Sequence, residues 1–106
     1  METKHTPEPW LIQESTVYAL NERRPPVNRF HASVDSGFDN CDKRISREEV
    51  CANAKLIAAA PDLLKALERC ELLLRSKRRA CEDSNLCHLL DSHISQARNA
   101  INKATA

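Results

Sequence analysis

Four side chains near the end of the chain come closest to a metal-binding set, namely Cys81, Cys87, His88 and His93. Zinc is held by four tetrahedral ligands, which commonly come as two close pairs. On one helix, Cys87 and His88 point about 100° apart, and the five-residue step between the two histidines takes them off a common face. We therefore expect packed thiols and surface imidazoles at these positions, and no bound metal.

The sequence contains five cysteines, which are Cys41, Cys51, Cys70, Cys81 and Cys87. Their number is odd, the N-terminal residues have no signal-peptide core, and no two cysteines show the Cys-x-x-Cys spacing of zinc and redox sites. Free cysteine behaves as a small apolar residue. We expect these thiols to be reduced and mostly buried.

Motifs that carry catalysis are missing from the sequence. It contains no Gly-x-Ser-x-Gly and no His-Glu-x-x-His, and its single glycine makes a phosphate-cradling loop improbable. The cysteines are expected on apolar helix faces, where the reactive thiolate is disfavoured. The acidic segment 35–42 lacks the glycine and the alternating ligands of a calcium loop. We expect no catalytic residue, no cofactor and no enzymatic activity.

Basic side chains are the candidates for contacts with a partner. The chain has 16 Lys and Arg against 15 Asp and Glu, and this balance argues against a general electrostatic grip on nucleic acid or on an anionic membrane. Cations are favoured near a helix C-terminus, so a solvated helix end explains part of the basic run. The candidate partner-binding residues are Arg23, Arg24, Arg29, Arg75, Lys77, Arg78 and Arg79.

Three successive leucines, Leu72, Leu73 and Leu74, span about 200° of a helix, which is wider than the stripe that one neighbouring helix covers. A chain of 106 residues has a small core, so a second apolar surface indicates an oligomer or a partner contact. We expect a homodimer in which one of these three leucines lies between the subunits.

The first 45 residues favour short strands. Residues 10–12 and 16–20 are rich in aromatic and β-branched types, and segment 21–26 is turn-like because it contains two prolines. Segment 29–35 alternates apolar and polar residues, as a half-buried antiparallel strand does. Its apolar side consists of Phe30, Ala32 and Val34. We expect a three-stranded meander.

The remaining residues favour helices. Ser46 and Glu49 form a capping box, with Ile45 and Val50 as its hydrophobic staple. Pro61 is expected to end the first helix and to begin the second. The predicted apolar face of the second helix is Leu63, Leu67, Cys70 and Leu74. A third helix begins near Asp83 or Ser84, with a predicted apolar face of Leu86, Leu90, Ile94, Ala97 and Ile101.

These patterns predict an α+β fold in a single domain of residues 1–106. A small N-terminal antiparallel β-meander of about three strands occupies residues 1–45. Residues 46–106 form two to three α-helices, including a C-terminal antiparallel helical hairpin, because two amphipathic helices joined by a short connection pack side by side.

Two segments carry a family resemblance. Residues 5–10 read HTPEPW, with Glu8 in place of the usual glycine of HTPGPW, and residues 52–67 read ANAKLIAAAPDLLKAL. Together they resemble the two hallmark motifs, HTPGPW and ANA(R/K)LIAAAPDLL(E/K)AL, of a widespread class of small bacteriophage and prophage proteins. The resemblance implies a phage origin and a layout of strands followed by helices, and it implies no reaction.

From small size, phage-type motifs and the missing catalytic set, we expect a non-enzymatic phage accessory protein in the host bacterial cytoplasm. It binds and inhibits or redirects a host protein, such as a CRISPR effector or another defence component. The alternative is a module that binds a nucleotide signal or nucleic acid, which the arginines near Phe30 and His31 suggest. No membrane contact is expected.

Overall fold

The computed structural model describes residues 4–20, 28–35 and 45–105. Their elements are β1 (Leu11–Gln13), β2 (Thr16–Leu20), β3 (Asn28–Ser33), α1 (Arg47–Arg79) and α2 (Ser84–Thr105). Three antiparallel strands therefore precede two helices, which confirms the predicted α+β class. The chain divides into two compact units, Met1–Pro61 and Asp62–Ala106, which are described separately below. Within the described ranges, no helix is long and apolar enough to cross a membrane.

The sheet of the first unit has the order β1-β2-β3, with both ladders antiparallel. This topology confirms the predicted meander. Glu14 lies in the tight turn between β1 and β2 with a φ of 55°, a left-handed conformation that a non-glycine residue adopts at a cost. The predicted turn at 21–26 lies outside the described residues.

One face of the sheet is buried because alternate residues of β2 point toward the core. Val17 and Ala19 are fully buried on this face. Trp10 packs edge-on against Phe30 with ring centroids 4.9 Å apart, and the Trp10 indole donates a hydrogen bond to the Thr6 carbonyl at 2.9 Å. The indole is half-buried and its N–H is paired, as is usual for a tryptophan that packs against a core.

Helix α1 begins as its capping residues predict. The Glu49 amide donates to Ser46 Oγ at 3.2 Å, so Ser46 is the N-cap and satisfies an otherwise unpaired helix amide. Val50 and Ala54, one turn apart, are buried. Buried residues of the first unit therefore lie both on one face of β2 and in the first turns of α1.

The prediction that Pro61 separates two helices is wrong. Helix α1 runs for 33 residues with Pro61 inside it, and this proline is buried. A proline inside a helix removes one backbone hydrogen bond and costs about 3 kcal/mol. Alanines and leucines on both sides are strong helix formers, and burial of the proline ring adds a favourable contribution, so the helix continues through this position.

The second unit is an antiparallel helical hairpin. Glu71 pairs with Arg98, and Arg78 pairs with Asp91, so that a step of seven residues forward on α1 matches a step of seven residues back on α2. Asp83 caps α2, because its Oδ1 accepts from the amides of Asn85 and Leu86 at 2.9 and 3.2 Å. The predicted start of this helix near Asp83 or Ser84 is confirmed.

Side chains of the two helices meet along a line that we call the hairpin seam. Its members are buried or half-buried and recur at spacings of three and four. They are Leu64, Leu67, Glu71, Leu74 and Arg78 on α1, and Cys87, Leu90, Ile94, Ala97 and Ile101 on α2.

The seam corrects the predicted apolar faces at three positions. Leu63 and Cys70 are exposed on α1, and the seam runs instead through the residues that follow them, Leu64 and Glu71. On α2, Leu86 is 47% exposed and its neighbour Cys87 takes its place. The apolar spacing of α1 fits a line through Leu63 and Cys70 as well as one through Leu64 and Glu71. Because Glu71 is charged, the sequence favoured the line through Cys70, which is exposed in the structure.

Candidate functional site

The face of the sheet that points away from the core carries a depression lined by Gln13, Thr16, Tyr18, Leu20 and His31, which we call the open sheet face. Tyr18 and His31 are opposite each other in the β2–β3 ladder, and Gln13 and Thr16 are opposite each other in the β1–β2 ladder. Tyr18 is half-buried, whereas Leu20 is 43% exposed. The surface offers one aromatic and one aliphatic side chain beside several groups that form hydrogen bonds.

Glu71 is the centre of a charged cluster in the hairpin. Its side chain is 7% exposed, and its Oε1 accepts a hydrogen bond from Arg98 Nε at 3.0 Å. The same oxygen lies 2.9 Å from Nε of Arg75, one turn further along α1. The carboxylate therefore joins the two helices and balances part of the charge of two arginines.

The two arginines differ in how they contact this carboxylate. Arg98 Nε is aligned for a hydrogen bond, whereas Arg75 Nε is buried and has no aligned hydrogen-bond partner among the described residues. The interaction of Arg75 with Glu71 is therefore coulombic, and Arg98 supplies the directional contact. Hydrogen bonds between two charged groups are the stronger kind, so of the two arginines Arg98 makes the more specific contact with Glu71.

A second ion pair joins the helices near their connection. Arg78 Nε donates to Asp91 Oδ1 at 2.8 Å, and the two side chains are 41% and 55% exposed. This hydrogen bond, with the negative charge of Asp91, raises the pKa of the Arg78 guanidinium. Solvent screens a pair that is this exposed, so its contribution to stability is small.

These ion pairs divide the basic residues that were candidates for partner contacts. Arg75 and Arg78 are engaged inside the hairpin, whereas Lys77 and Arg79 are exposed and form no ion pair within the described ranges. Of the remaining candidates, Arg29 belongs to β3. Arg23 and Arg24 lie outside the described residues.

The prediction that the cysteines are mostly buried is wrong for the described ones. Cys51, Cys81 and Cys87 are half-buried, Cys70 is exposed, and all four are free thiols. Cys41 lies outside the described residues. The two helices of the hairpin bury side chains only along their seam. Of the two cysteines on these helices in the second unit, Cys70 and Cys87, only Cys87 lies on the seam.

Cys81 and Cys87 form a local pair at the start of α2. Cys87 Sγ contacts the Cys81 carbonyl oxygen at 3.5 Å, and Cys81 Sγ contacts the Asp83 carbonyl oxygen at 3.4 Å. A hydrogen bond with the Cys81 side chain, and then burial, raises the pKa of the Cys87 thiol. A protonated thiol is a poor nucleophile and a poor metal ligand. Within the described ranges, no three His, Cys, Asp or Glu residues are grouped so that they could hold a metal.

The three successive leucines take three different environments. Leu74 is half-buried in the hairpin seam, whereas Leu72 and Leu73 are 57% and 59% exposed. Residues next to each other on a helix point about 100° apart, so the two exposed leucines lie on different sides of α1. Only one of them can belong to a given flat interface.

Sequence reasoning missed Glu71 as a structural centre. A signal for it exists, because Leu67, Glu71 and Leu74 follow the three-and-four spacing of a packed helix face, and Arg75 is four residues after the carboxylate. A charge at an apolar spacing indicates a buried ion pair when an opposite charge follows one turn later.

Comparison with known proteins gives one family. The sequence matches a protein-family model described as Salmonella phage P22 protein Y8K6 over residues 1–106. Neither the comparison with curated proteins nor that with solved structures gave a match. The family match covers the full length of the sequence, including the helical hairpin and the sheet, and it agrees with the phage origin that the two motifs imply. The chain therefore belongs to the family of Salmonella phage P22 protein Y8K6.

Proposed function

We propose that this phage protein acts without catalysis, by binding a host protein through the open sheet face. The observation that carries the proposal is the exposure of Leu20 beside Tyr18 and His31 on the side of the sheet away from the core. An apolar and aromatic centre with hydrogen-bonding groups around it is the composition that protein interfaces have.

The geometry of the ladders supports this use of the face. Leu11, Tyr18 and His31 form one row across the three strands, because Tyr18 is paired with Leu11 on one side and with His31 on the other. Cross-strand neighbours on one face are close enough to act together. A partner that covers the row would bury the exposed part of the Tyr18 ring and could pair with its hydroxyl, which is why tyrosine is common among interface hot spots.

The partner that we favour is a component of host defence, such as a CRISPR effector, which the phage protein would inhibit or redirect in the host cytoplasm. Support comes from membership in a phage protein family and from the small size of the chain. A protein partner also suits the hairpin, because two of its four candidate basic residues, Arg75 and Arg78, already pair with carboxylates of the same chain.

A pull-down from host lysate with matched variants tests the proposal. Leu20→Glu places a charge on the open sheet face, and Ile12→Glu places the same charge at a residue of similar exposure, 39% against 43%, in the neighbouring strand. Ile12 is paired with the buried Val17 and so lies on the opposite face. We expect one host protein to be retained by the wild type and by Ile12→Glu, and lost with Leu20→Glu.

Two results would overturn the proposal. Equal retention by both variants would show that the open sheet face is not the contact. Binding of short RNA, DNA or a cyclic nucleotide that weakens steeply with salt would instead support the alternative, a phosphate-binding module, because counterion release produces such a dependence. Circular dichroism of both variants shows whether the fold is retained.

A further inference from the structure

The two sides of the helical hairpin differ in composition. Residues that directly precede the ten seam residues lie on one side, and residues that directly follow them lie on the other. The preceding set is Leu63, Ala66, Cys70, Leu73, Lys77, Leu86, Leu89, His93, Gln96 and Ala100, of which seven are apolar or small. The following set is Lys65, Glu68, Leu72, Arg75, Arg79, His88, Asp91, Ser95, Arg98 and Asn102, of which one is apolar.

Both helices present the preceding set on the same side of the hairpin. Seen from one end of the hairpin, one helix turns counterclockwise and the other clockwise as residue numbers rise. Because the two seam faces point toward each other, a step back of one residue leads to the same side of the hairpin in both helices. The ion pairs agree, because Arg98 and Asp91 of the following set meet their partners across the seam, and Arg75 of the same set contacts the carboxylate of Glu71 that Arg98 binds. We call the other side the hairpin apolar face.

The leucines of this face are uncovered in a single chain. Leu63 is 53% exposed, Leu73 59%, Leu86 47% and Leu89 54%. Single exposed leucines are common on protein surfaces, but several on one side of two adjacent helices form a continuous patch. Such a patch marks a contact surface.

The size of the face is that of a dimer interface. The 22 residues of α2 extend for about 33 Å, and two packed helices are together about 20 Å wide, which gives a projected area of roughly 600 Å². Stable interfaces bury about 800 Å² on each partner, and side-chain relief makes an accessible area larger than its projection. The face is therefore large enough for a stable pairing of two hairpins.

We infer that a second copy of this chain covers the hairpin apolar face, so that two hairpins stack as a four-helix bundle with two-fold symmetry. Lys77 is the one formally charged residue in the preceding set, and the set contains no carboxylate, so the face has no charge pattern that selects a strongly basic or acidic partner. A two-fold axis pairs the same patch on both chains, and an apolar patch is complementary to itself. This inference goes beyond the proposed function, which uses the first unit.

Two adjacent leucines provide a matched test. Leu72 and Leu73 have nearly equal exposure, 57% and 59%, but Leu73 lies on the hairpin apolar face and Leu72 lies on the charged side. Light scattering and sedimentation of the full chain at micromolar concentration should give a dimer for the wild type. Leu73→Glu would bury a carboxylate from each copy in a face where Lys77, one turn further along α1, is the one opposite charge, and should raise the dissociation constant at least about a hundredfold. Leu72→Glu should remain dimeric.

Thiol reactivity gives an independent measurement on the same face. Cys70 is exposed in the single chain, so a second copy should protect it from alkylation as protein concentration rises, and Leu73→Glu should abolish that protection. Helical content by circular dichroism should be unchanged in both leucine variants. A wild-type monomer throughout the micromolar range overturns the inference, as does a loss of dimer with Leu72→Glu equal to that with Leu73→Glu. A host protein that binds a monomer and is lost with Leu73→Glu alone would also overturn it.

Discussion

Glu71 allows a test of what a buried charge contributes to the hairpin. Its carboxylate lies between Leu67 and Leu74 in the seam and contacts both Arg75 and Arg98. Removing one partner of a fully buried ion pair costs about 3–5 kcal/mol. The arginine side chains here are 37% and 54% exposed, so they can turn toward water and recover part of that cost. We expect Glu71→Ala to lower the free energy of unfolding by about 1–2 kcal/mol.

Replacement of Glu71 by leucine should raise the free energy of unfolding, the opposite of the effect of alanine. Glu71→Leu extends the apolar spacing of the seam through this position and releases the two arginines to solvent. Exchange of a buried ion pair for an apolar side chain of similar volume is neutral or stabilising by about 1–4 kcal/mol. Because the arginines recover only part of their hydration, we expect a gain at the lower end, about 1 kcal/mol. Glu71→Gln keeps the shape and loses the charge, and should lie between the wild type and Glu71→Ala.

Urea unfolding followed by far-ultraviolet circular dichroism measures these differences, and an unchanged slope shows that the compactness of the two end states is the same. In a domain of about 100 residues, each kcal/mol of change in the free energy of unfolding should move the thermal midpoint by about 4–8 °C. Glu82→Leu serves as the control, since it adds the same side chain at an exposed position. If Glu71→Leu were destabilised by more than Glu71→Ala, the carboxylate would be essential to the packing, and the reasoning would be refuted.

Three further predictions concern local features of the chain. Asp83→Ala removes the N-cap of α2 and should cost about 1 kcal/mol in thermal or urea unfolding, whereas Glu82→Ala next to it should have little effect. Cys81→Ala keeps the backbone carbonyl but removes the side chain whose hydrogen bond raises the pKa of Cys87, so at about pH 8 more thiolate forms and Cys87 should be alkylated faster; an unchanged rate by mass spectrometry would contradict this cause. Glu14→Gly relieves the left-handed φ of 55° and should raise the free energy of unfolding by about 0.5–1 kcal/mol, and a loss of stability would argue against strain at this turn.

The elements that depend on neighbouring residues could be read from the sequence. Ser46 and Asp83 were recognised as helix starts because a cap satisfies amides two or three residues away, and no distant contact is needed. The meander followed from aromatic and β-branched residues in the first two strands and from alternation in the third, since a strand that is half-buried repeats every two residues. A phage origin followed from two motifs, and the family match supports it at the level of a small phage protein.

The candidate surfaces could be read only in part. The sequence shows that one neighbouring helix cannot cover all three of Leu72, Leu73 and Leu74. It does not show which of the three the partner helix covers. The open sheet face was not predicted as a site, because Tyr18 and His31 are thirteen residues apart and become neighbours only through the β2–β3 register. Their types alone carry no sign of that pairing.

Tertiary structure decided which of two adjacent helix lines became the seam. One line runs through Leu63 and Cys70, and the other runs through Leu64 and Glu71. The second line also fits a packed helix face if the charge of Glu71 is paired, so the local pattern does not choose between them. Helix α2 resolves it, because Arg98 meets Glu71 and stabilises the line that contains a charge. Tertiary packing also decided that α1 continues through Pro61, where burial of the proline ring offsets part of the loss of one hydrogen bond. Local rules set where helices begin, and long-range contacts set which side of each helix is covered.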